Sequence, residues 1–256
     1  MLLALDAGNT NVTIGVFRNG TLAHRWRLRT IYDQTEDEWG ILFRNLFSLA
    51  SLDLLRIDGV IISSVVPPLD PTLDSMARDY FHREPVFVTY ETDTGMRILY
   101  DNPREVGADR IVNGVAALHK YGGPCVVVDL GTAITFDAVS ANSEYLGGII
   151  CAGIGISVEA LFTKTARLPK VEFRDPGKLI GKNTVGSIQS GLYNGAISMI
   201  DGILDRLVAE LGPATKIVGT GGQASLIARG SRYLKEVNAD LTLEGLQLIW
   251  ERTQHR

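Results

Sequence analysis

The stretch LLALDAGNT at residues 2–10 decides the fold, because nearly the same pattern returns as PCVVVDLGT at residues 124–132. In both places an apolar run, typical of a buried β-strand, leads into Asp-x-Gly and then Thr. The two aspartates, Asp6 and Asp129, stand about half of the 256-residue chain apart. This echo predicts a duplicated α/β protein, divided into residues 1–115 and 116–256, with a cleft between the halves. Two unrelated strand–turn signals are the alternative.

Further patterns extend outward from these two stretches. A second alternating strand follows each of them, at residues 12–17 and 134–139, and Asn19-Gly20 predicts a tight β-hairpin. Thr35 and Glu38 predict the start of a helix that runs to Ala50. Strands are also expected at 59–66, 86–89 and 216–219, and helices at 69–82, 104–121, 184–211, from 223, and at 241–250. A loop that enters a helix is expected at 153–161.

The helix expected at 184–211 carries four glycines, at positions 186, 191, 195 and 202. Each glycine costs a helix about 1 kcal/mol relative to alanine, so the run implies close packing of another backbone. A subunit or domain contact and plain core packing are equally compatible with it.

Composition excludes several classes of protein. With 25 Lys and Arg against 29 Asp and Glu, the net charge of −4 offers no general attraction to nucleic acid or anionic lipid. No apolar run is long enough to span a bilayer, and Asp6 interrupts the N-terminal one, so neither a membrane span nor a signal peptide is expected. The two cysteines, Cys125 and Cys151, are expected to be buried thiols in a reducing compartment.

The Asp6–Asn11 turn has the composition of a phosphate-binding loop. Gly8 permits a tight turn, and Asn9, Thr10 and Asn11 expose short donors beside backbone N–H groups. Asp6 suits a hydrated cation that bridges nucleotide phosphates. The alternative is an Asx-turn in which Asp6 caps its own loop.

Asp129-Leu130-Gly131-Thr132 repeats these parts in the second half, and two facing carboxylates favour a cation near them. Phosphate plus cation is therefore the preferred interpretation. Near the end of the chain, Gly219–Ala224 fits G-x-G-x-x-A, but its late position favours a loop beside a nucleotide's sugar or base over a dinucleotide site.

Residues 100–110 form the other dense segment, which ends in Gly-Ala-Asp-Arg at the entry of a predicted helix. Asp109 can accept a proton, and Arg110 can clamp an anion with two hydrogen bonds. Both residues also fit a structural role in the first turn of a helix, where the dipole favours a carboxylate.

Taken together, these motifs resemble type III pantothenate kinases, within the actin, hexokinase and acetate-kinase superfamily. The resemblance covers nearly the whole chain, in the family's order. It is carried by Asp6-x-Gly8-Asn9-Thr10-Asn11, Gly107–Arg110, Asp129-x-Gly131-Thr132, Ala152–Ser157, Asn183-Thr184, Ser190-Gly191 and Gly219–Gly222.

The resemblance implies two duplicated RNase H-like domains and ATP-dependent phosphorylation of pantothenate, the first step towards coenzyme A. Asp109 is implied as the proton acceptor, Asp129 as the ligand of K⁺ or NH₄⁺, and Asp6 as the partner of hydrated Mg²⁺ with ATP. The implied ATP-binding residues are Asp6, Ala7, Gly8, Asn9, Thr10, Asn11, Val12, Thr13, Thr132, Gly221 and Gly222. The implied pantothenate-binding residues are Tyr100, Gly107, Ala108, Asp109, Arg110 and Thr184. A cytoplasmic homodimer is also implied, with no nucleic-acid or membrane partner.

Three other functions are weighed against this one. A related branch of the family consists of accessory factors of gene regulation, which need not keep Asp6, Asp109 and Asp129 together. A sugar or acetate-type kinase would share the Asp-x-Gly turns but not the 100–110 segment. An NAD-dependent dehydrogenase depends on Gly219–Ala224 alone.

Overall fold

A computed structural model describes residues 1–254 as two compact units. The first unit contains Met1–Met96, Tyr100–Ala116 and the chain from Leu241 onward, and the second contains Arg97–Leu99 and Ala117–Asp240. The strands are β1 Leu2–Ala7, β2 Asn11–Arg18, β3 Thr21–Arg29, β4 Gly59–Ser64, β5 Pro85–Phe87, β6 Arg97–Ile98, β7 Cys125–Leu130, β8 Ala133–Val139, β9 Glu144–Ala152, β10 Lys216–Thr220 and β11 Glu236–Val237. The helices are α1 Glu36–Leu49, α2 Asp70–Phe81, α3 Ala108–Tyr121, α4 Ile154–Thr163, α5 Thr184–Leu211, α6 Ala224–Ala228 and α7 Leu241–Gln254.

The two sheets are built to one plan. In the first unit the strand order is β3-β2-β1-β4-β5, with antiparallel pairs among β1 to β3 and parallel pairs from β1 to β4 and β5. The second sheet has the order β11-β10-β7-β8-β9-β6. Within it, β7, β8 and β9 are antiparallel, whereas β10 and β11 run parallel to β7. The matching order and direction confirm the duplicated α/β fold.

The β2–β3 hairpin confirms the Asn-Gly prediction. Arg18 pairs with Thr21, and the two residues between them both have positive φ, 50° at Asn19 and 75° at Gly20. Two consecutive positive φ angles match the twist of the flanking strands.

Aromatic side chains fill the core of the first unit. Trp39, Phe43 and Phe47 recur every four residues on α1, so they share one buried face of that helix. The helix begins with a reciprocal cap between Thr35 and Glu38, as the sequence predicts. The Phe43 ring meets that of Phe81 on α2 edge to face, with the centroids 5.3 Å apart.

The core of the second unit lies between its sheet and α5. Val126, Val128 and Phe136 are fully buried on the sheet, and Ile200 and Leu204 of α5 pack in the same cluster. The near-continuous apolar run of β7 is typical of a strand whose side chains are buried on both faces of the sheet.

The C-terminal helix α7 returns to the first unit. The Trp250 ring lies against Gly59 of β4, where a Cβ would stand 2.0 Å from a ring carbon. In the same way, a Cβ on Gly245 would stand 2.3 Å from the Val112 carbonyl oxygen of α3. Only glycine fits at these two contacts. The sequence-based division into residues 1–115 and 116–256 places this last helix in the second half and does not predict its return to the first unit.

One predicted helix boundary is wrong. Helix α3 begins at Ala108 instead of position 104, because Pro103–Glu105 forms a separate 3₁₀ turn capped by the Asn102 side chain. The chain then extends at Val106 before the helix starts.

Both cysteines are free thiols. Burial raises the pKa of Cys125 to about 12, so its thiol stays protonated and unreactive. Among the described residues, no helix combines the length and apolarity that crossing a bilayer needs.

Candidate active site

In the first unit, the site begins at the end of β1. Asp6 is half-buried and pairs in register with Thr13 on β2 and Ser63 on β4. Side chains that pair in register lie on the same face of a sheet, so hydroxyl residues flank this carboxylate on both sides. The Ser63 hydroxyl is buried and has no hydrogen-bond partner among the residues that the structure describes.

The predicted phosphate-binding turn, residues 8–11, follows Asp6. The Gly8 N–H donates to the Asn11 carbonyl oxygen at 3.0 Å, and this bond closes the turn. Asn9, Thr10 and Asn11 are exposed, whereas the side chains of Ala7 and Val12 are buried in the core. Of the residues predicted to bind ATP, these two can therefore contribute only main-chain atoms.

Asp109 stands in the first turn of α3, and its carboxylate lies over Gly107. The Arg110 N–H donates to Asp109 Oδ1 at 2.8 Å, and a Cβ on Gly107 would lie 2.6 Å from the same oxygen. Burial raises the pKa of the Asp109 carboxyl above its ordinary value, and the Arg110 N–H and charge oppose that rise only in part. Burial disfavours the ionised form, which makes this carboxyl a stronger proton acceptor than an exposed aspartate.

Val65 connects Asp109 to the turn that follows Asp6. Its N–H donates to the Ala7 carbonyl oxygen at 3.0 Å, and its Cγ1 would stand 3.3 Å from a Cβ on Gly107. The first unit therefore brings the Asp6 turn and the Gly107–Arg110 segment together, although 100 residues of sequence separate them. The sequence analysis missed Val65, because an apolar residue after a buried strand gives no functional signal.

Three other predicted residues of the first unit lie close to Asp109 in the sequence. Tyr100 is half-buried, Ala108 is buried, and Arg110 is 7% exposed. A guanidinium so far from water is favourable only with polar or anionic partners, which is consistent with anion recognition.

In the second unit, Asp129 repeats the setting of Asp6. It is half-buried near the end of β7 and pairs with Thr135 on β8 and Thr220 on β10. The turn is closed by the Gly131 N–H, which donates to the Ala133 carbonyl oxygen at 3.0 Å. A Cβ on Gly153 would lie 1.9 Å from the Thr132 carbonyl oxygen, so the β9–α4 junction supports this turn at close range.

The Gly219–Ala224 loop packs against the same turn. Gly221 has φ of 89°, and a Cβ there would stand 2.5 Å from Asp129 Oδ1. A glycine is required both by the positive φ and by this close approach. Asp129 and Gly221 are therefore neighbours, and Gly222 follows directly in the chain.

Thr184 lies apart from these residues, at the first position of α5. Asn183 caps the helix by accepting from the Gly186 N–H at 2.8 Å. Thr184 is exposed and lines a groove of about 770 Å³, whose other lining residues are Leu161, Leu168, Gly181, Lys182, Asn183, Ser187, Ile188, Gly191 and Leu192. The Asp129 turn is not part of this lining.

The carboxylates of the two turns do not form a metal-binding site made of protein ligands alone. Within residues 1–254, no group of three or more His, Cys, Asp or Glu side chains is placed to hold a metal ion. Each turn instead offers one carboxylate with neighbouring hydroxyl groups. That donor set fits a hydrated Mg²⁺ held mainly by nucleotide phosphates, since Mg²⁺ keeps most of its waters.

Similarity to known proteins extends over nearly the whole chain. The sequence model of one protein family, described as "Type III pantothenate kinase", matches residues 2–206. A type III pantothenate kinase of Solibacter usitatus is 66% identical over 252 residues, which cover 98% of this chain and 97% of the relative. The corresponding protein of Koribacter versatilis is 57% identical and covers 99% of this chain and 96% of its own.

The fold recurs in solved structures. The activator of 2-hydroxyisocaproyl-CoA dehydratase from Clostridium difficile, with bound ADPNP, superposes with a TM-score of 0.57 at 12% identity. The match covers 100% of this chain and 97% of the other. At this identity the likeness shows the fold alone, which is of the actin and hexokinase type.

Proposed function

The chain belongs to the type III pantothenate kinase family, and from that premise we propose that it transfers the γ-phosphoryl group of ATP to the primary hydroxyl of pantothenate. It is thus a phosphotransferase with an alcohol acceptor, and its reaction is a step of coenzyme A synthesis. The half-buried Asp109 carboxylate, held over Gly107 beside the Asp6 turn, is the observation that carries this proposal.

Asp109 acts as the proton acceptor in this proposal. The hydroxyl oxygen of pantothenate forms a bond to the γ-phosphorus while the bond from that phosphorus to the β,γ-bridging oxygen breaks, and ADP leaves. The hydroxyl proton passes to the Asp109 carboxylate, whose raised pKa suits the transfer. General-base help of this kind contributes a factor of about 10² to 10⁴ in rate.

The Asp6 turn is proposed to hold the ATP phosphates. Gly8 closes the turn, and the residues from Asn9 to Thr13 supply backbone N–H groups and short polar side chains. An anion is well stabilised by such a turn. Asp6 would hold hydrated Mg²⁺, which neutralises phosphate charge when it is bound. A divalent ion is expected because kinases use ATP together with a divalent metal ion.

The second unit is proposed to supply a monovalent-cation site and further nucleotide contacts. Asp129 would bind K⁺ or NH₄⁺, Thr132 would contact a phosphate, and Gly221 with Gly222 would lie beside the adenosine. The support for this role is that Asp129 and Gly221 are immediate neighbours and that the turn repeats the architecture of the Asp6 turn.

Pantothenate carries one carboxylate and a neutral amide arm. We assign its carboxylate to Arg110, and its remaining contacts to Tyr100, Gly107, Ala108 and Thr184. Arg110 follows Asp109 directly, so one helix turn would position both the anion contact and the proton acceptor.

A homodimer is part of the proposal, and its support lies in the second unit. Gly155, Gly191, Gly195 and Gly202 have open space where a Cβ would point, so no backbone within the described residues packs there. Large apolar side chains are exposed on β9, on α4, ahead of α5 and in the first turn of α5: Ile149, Ile150, Ile156, Leu161, Phe162, Leu179, Ile180 and Val185. A second copy of the chain would cover this surface, as large exposed apolar patches require.

The cytoplasm is the proposed location, because free thiols such as Cys125 and Cys151 persist in a reducing compartment.

A coupled assay of ATP consumption tests the proposed function. Purified protein is assayed with and without pantothenate, first in potassium and then in sodium buffer. Turnover that requires pantothenate and is faster in potassium is the expected result. Folded protein that binds ATP but shows no pantothenate-dependent turnover in either buffer would contradict the proposal.

A further inference from the structure

A short segment after β3 forms hydrogen bonds to the carbonyl groups of the phosphate-binding turn. We call this segment, residues 30–32, the strap. The Thr30 hydroxyl donates to the Gly8 carbonyl oxygen at 2.6 Å, and the Thr30 N–H donates to the Thr10 carbonyl oxygen at 3.0 Å. The Tyr32 hydroxyl donates to the Asn9 carbonyl oxygen at 3.1 Å. Three successive carbonyl groups of the turn are thus bound by two residues of the strap.

These bonds fix the direction in which the turn presents its peptide groups. A carbonyl oxygen is the negative end of a peptide dipole, and it repels a phosphate that approaches it. An anion-binding turn works only when its N–H groups and side chains face the ligand. Because the strap holds the carbonyl groups of residues 8–10, they are not available to turn towards a bound anion.

Thr30 is well placed to fix the orientation of the Gly8 carbonyl group. It is only 7% exposed, so its hydroxyl has little access to water and is committed to the Gly8 carbonyl. Removing the hydroxyl would leave a partly buried carbonyl without its donor and allow the peptide plane to rotate. Tyr32 is 54% exposed, so water can replace its hydroxyl at small cost.

We propose that Thr30 is a positioning residue for nucleotide phosphates, which orients the 8–11 turn without touching the ligand. This inference rests on the proposed function, since it assumes that the turn binds the phosphates of ATP. Tyr32 makes a weaker contribution through Asn9.

Paired substitutions test the role of Thr30. Thr30→Val keeps the size, the β-branch and the backbone N–H but removes the hydroxyl. Thr30→Ser restores the hydroxyl. Thr21→Val makes the same chemical change at the far end of β3 and is the matched control. Affinity for Mg·ATP is measured by calorimetry, KM for each substrate by the coupled assay, and folding by Tm.

Thr30→Val is expected to raise the Kd and KM for ATP about tenfold, the effect of one lost buried hydrogen bond. The KM for pantothenate should stay within about twofold, and Tyr32→Phe should weaken ATP binding by a factor of about two to three. Thr30→Ser and Thr21→Val should bind ATP like the wild type. Should Thr30→Val fail to fold, Thr30→Cys replaces it, because a thiol is a much weaker donor than a hydroxyl.

Wild-type ATP affinity in the folded Thr30→Val or Thr30→Cys protein would overturn the proposal. So would an equal rise in both KM values, or a Thr30→Ser protein as impaired as Thr30→Val. Calorimetry with ATP does not depend on the acceptor. If the wild type binds ATP but does not phosphorylate pantothenate, the proposed function is contradicted. The calorimetric comparison of the Thr30 variants still tests the proposal about Thr30 in that case.

Discussion

Asp6 and Asp129 occupy the same position in two copies of one strand. Each is the fifth residue of a six-residue strand, and each is half-buried between four buried residues before it and one buried residue after it. Each is flanked in register by hydroxyl residues on both neighbouring strands: Thr13 and Ser63 for Asp6, Thr135 and Thr220 for Asp129. The two copies therefore share a local donor set, and they differ in the segment that packs on the carboxylate's turn.

Removing the Asp129 charge should abolish the cation dependence. In Asp129→Asn we expect kcat to fall at least about tenfold and the ratio of rates in potassium and sodium to approach one, because a neutral amide binds a cation far less well than a carboxylate. The coupled assay in the two buffers measures both. Asp175→Asn, at an exposed aspartate of the same unit, is the control. A variant that keeps the wild-type ratio would exclude Asp129 as the cation ligand.

Asp109→Asn should remove the proton acceptor without disturbing the nucleotide. We expect kcat to fall by at least about 10², with the Kd for ATP within about threefold of the wild type. The exposed Asp101, in the same segment, gives the matched variant Asp101→Asn, which should keep its activity. Retention of more than half of the wild-type kcat by Asp109→Asn would contradict the assignment.

The raised pKa of Asp109 predicts a pH-dependent gain in stability for the same variant. The folded protein binds this proton more tightly than the unfolded chain, so wild-type stability decreases as pH rises from the ordinary aspartate pKa, about 3.9, through the raised one. Asp109→Asn avoids that loss. Its Tm should exceed the wild-type Tm at pH 7, and the difference should shrink as the pH falls to 4.5. A lower Tm at pH 7 would show that burial does not disfavour the carboxylate.

Gly107→Ala should displace the Asp109 carboxylate. The new methyl group would lie 2.6 Å from Oδ1, which is too close for any carbon–oxygen contact, so the carboxylate must move. We expect kcat to fall at least about tenfold, since small misplacements of a catalytic group are costly. Wild-type kinetics in a folded Gly107→Ala protein would refute the prediction.

We expect the wild-type protein to form a dimer that is held together by the exposed apolar surface of the second unit. Ile150 on β9 is 63% exposed, and Ile150→Asp should convert the wild-type dimer to monomer in light scattering at micromolar concentration. Leu49→Asp, at a residue of the first unit that is 85% exposed, is the control and should stay dimeric. A dimer that survives Ile150→Asp, or a monomeric wild type, would reject this surface as the interface.

Local signals made much of the fold predictable from the sequence. The Asp-x-Gly repeat is a pattern of residues close in sequence, and it correctly predicted two copies of one sheet. Asn19-Gly20 and the Thr35–Glu38 pair also act within four residues of chain, and both formed the expected turn and cap. Such signals depend on backbone preference more than on tertiary packing.

Contacts between distant segments could not be read in this way. The Thr30 hydroxyl reaches Gly8 across 22 positions, and Val65 joins Ala7 to Gly107. Neither Thr30 nor Val65 differs in type from ordinary strand residues, so only the folded chain reveals their neighbours. The start of α3 was misplaced because the Asn102 cap and Pro103 favour a short 3₁₀ turn, a local competitor that helical periodicity does not detect.

The return of α7 to the first unit has a consequence for how the protein is made. Trp250 and Gly245 complete the packing around Gly59 and Val112, yet they leave the ribosome only after the whole of the second unit. Domains encoded first generally fold first during synthesis. Here residues 117–240 emerge before α7, so the first unit cannot complete its packing until the second unit has emerged. A nascent chain arrested before Leu241 would leave uncovered the part of the first sheet on which α7 packs, namely β1, β2 and β4, and chaperones and proteases could reach it.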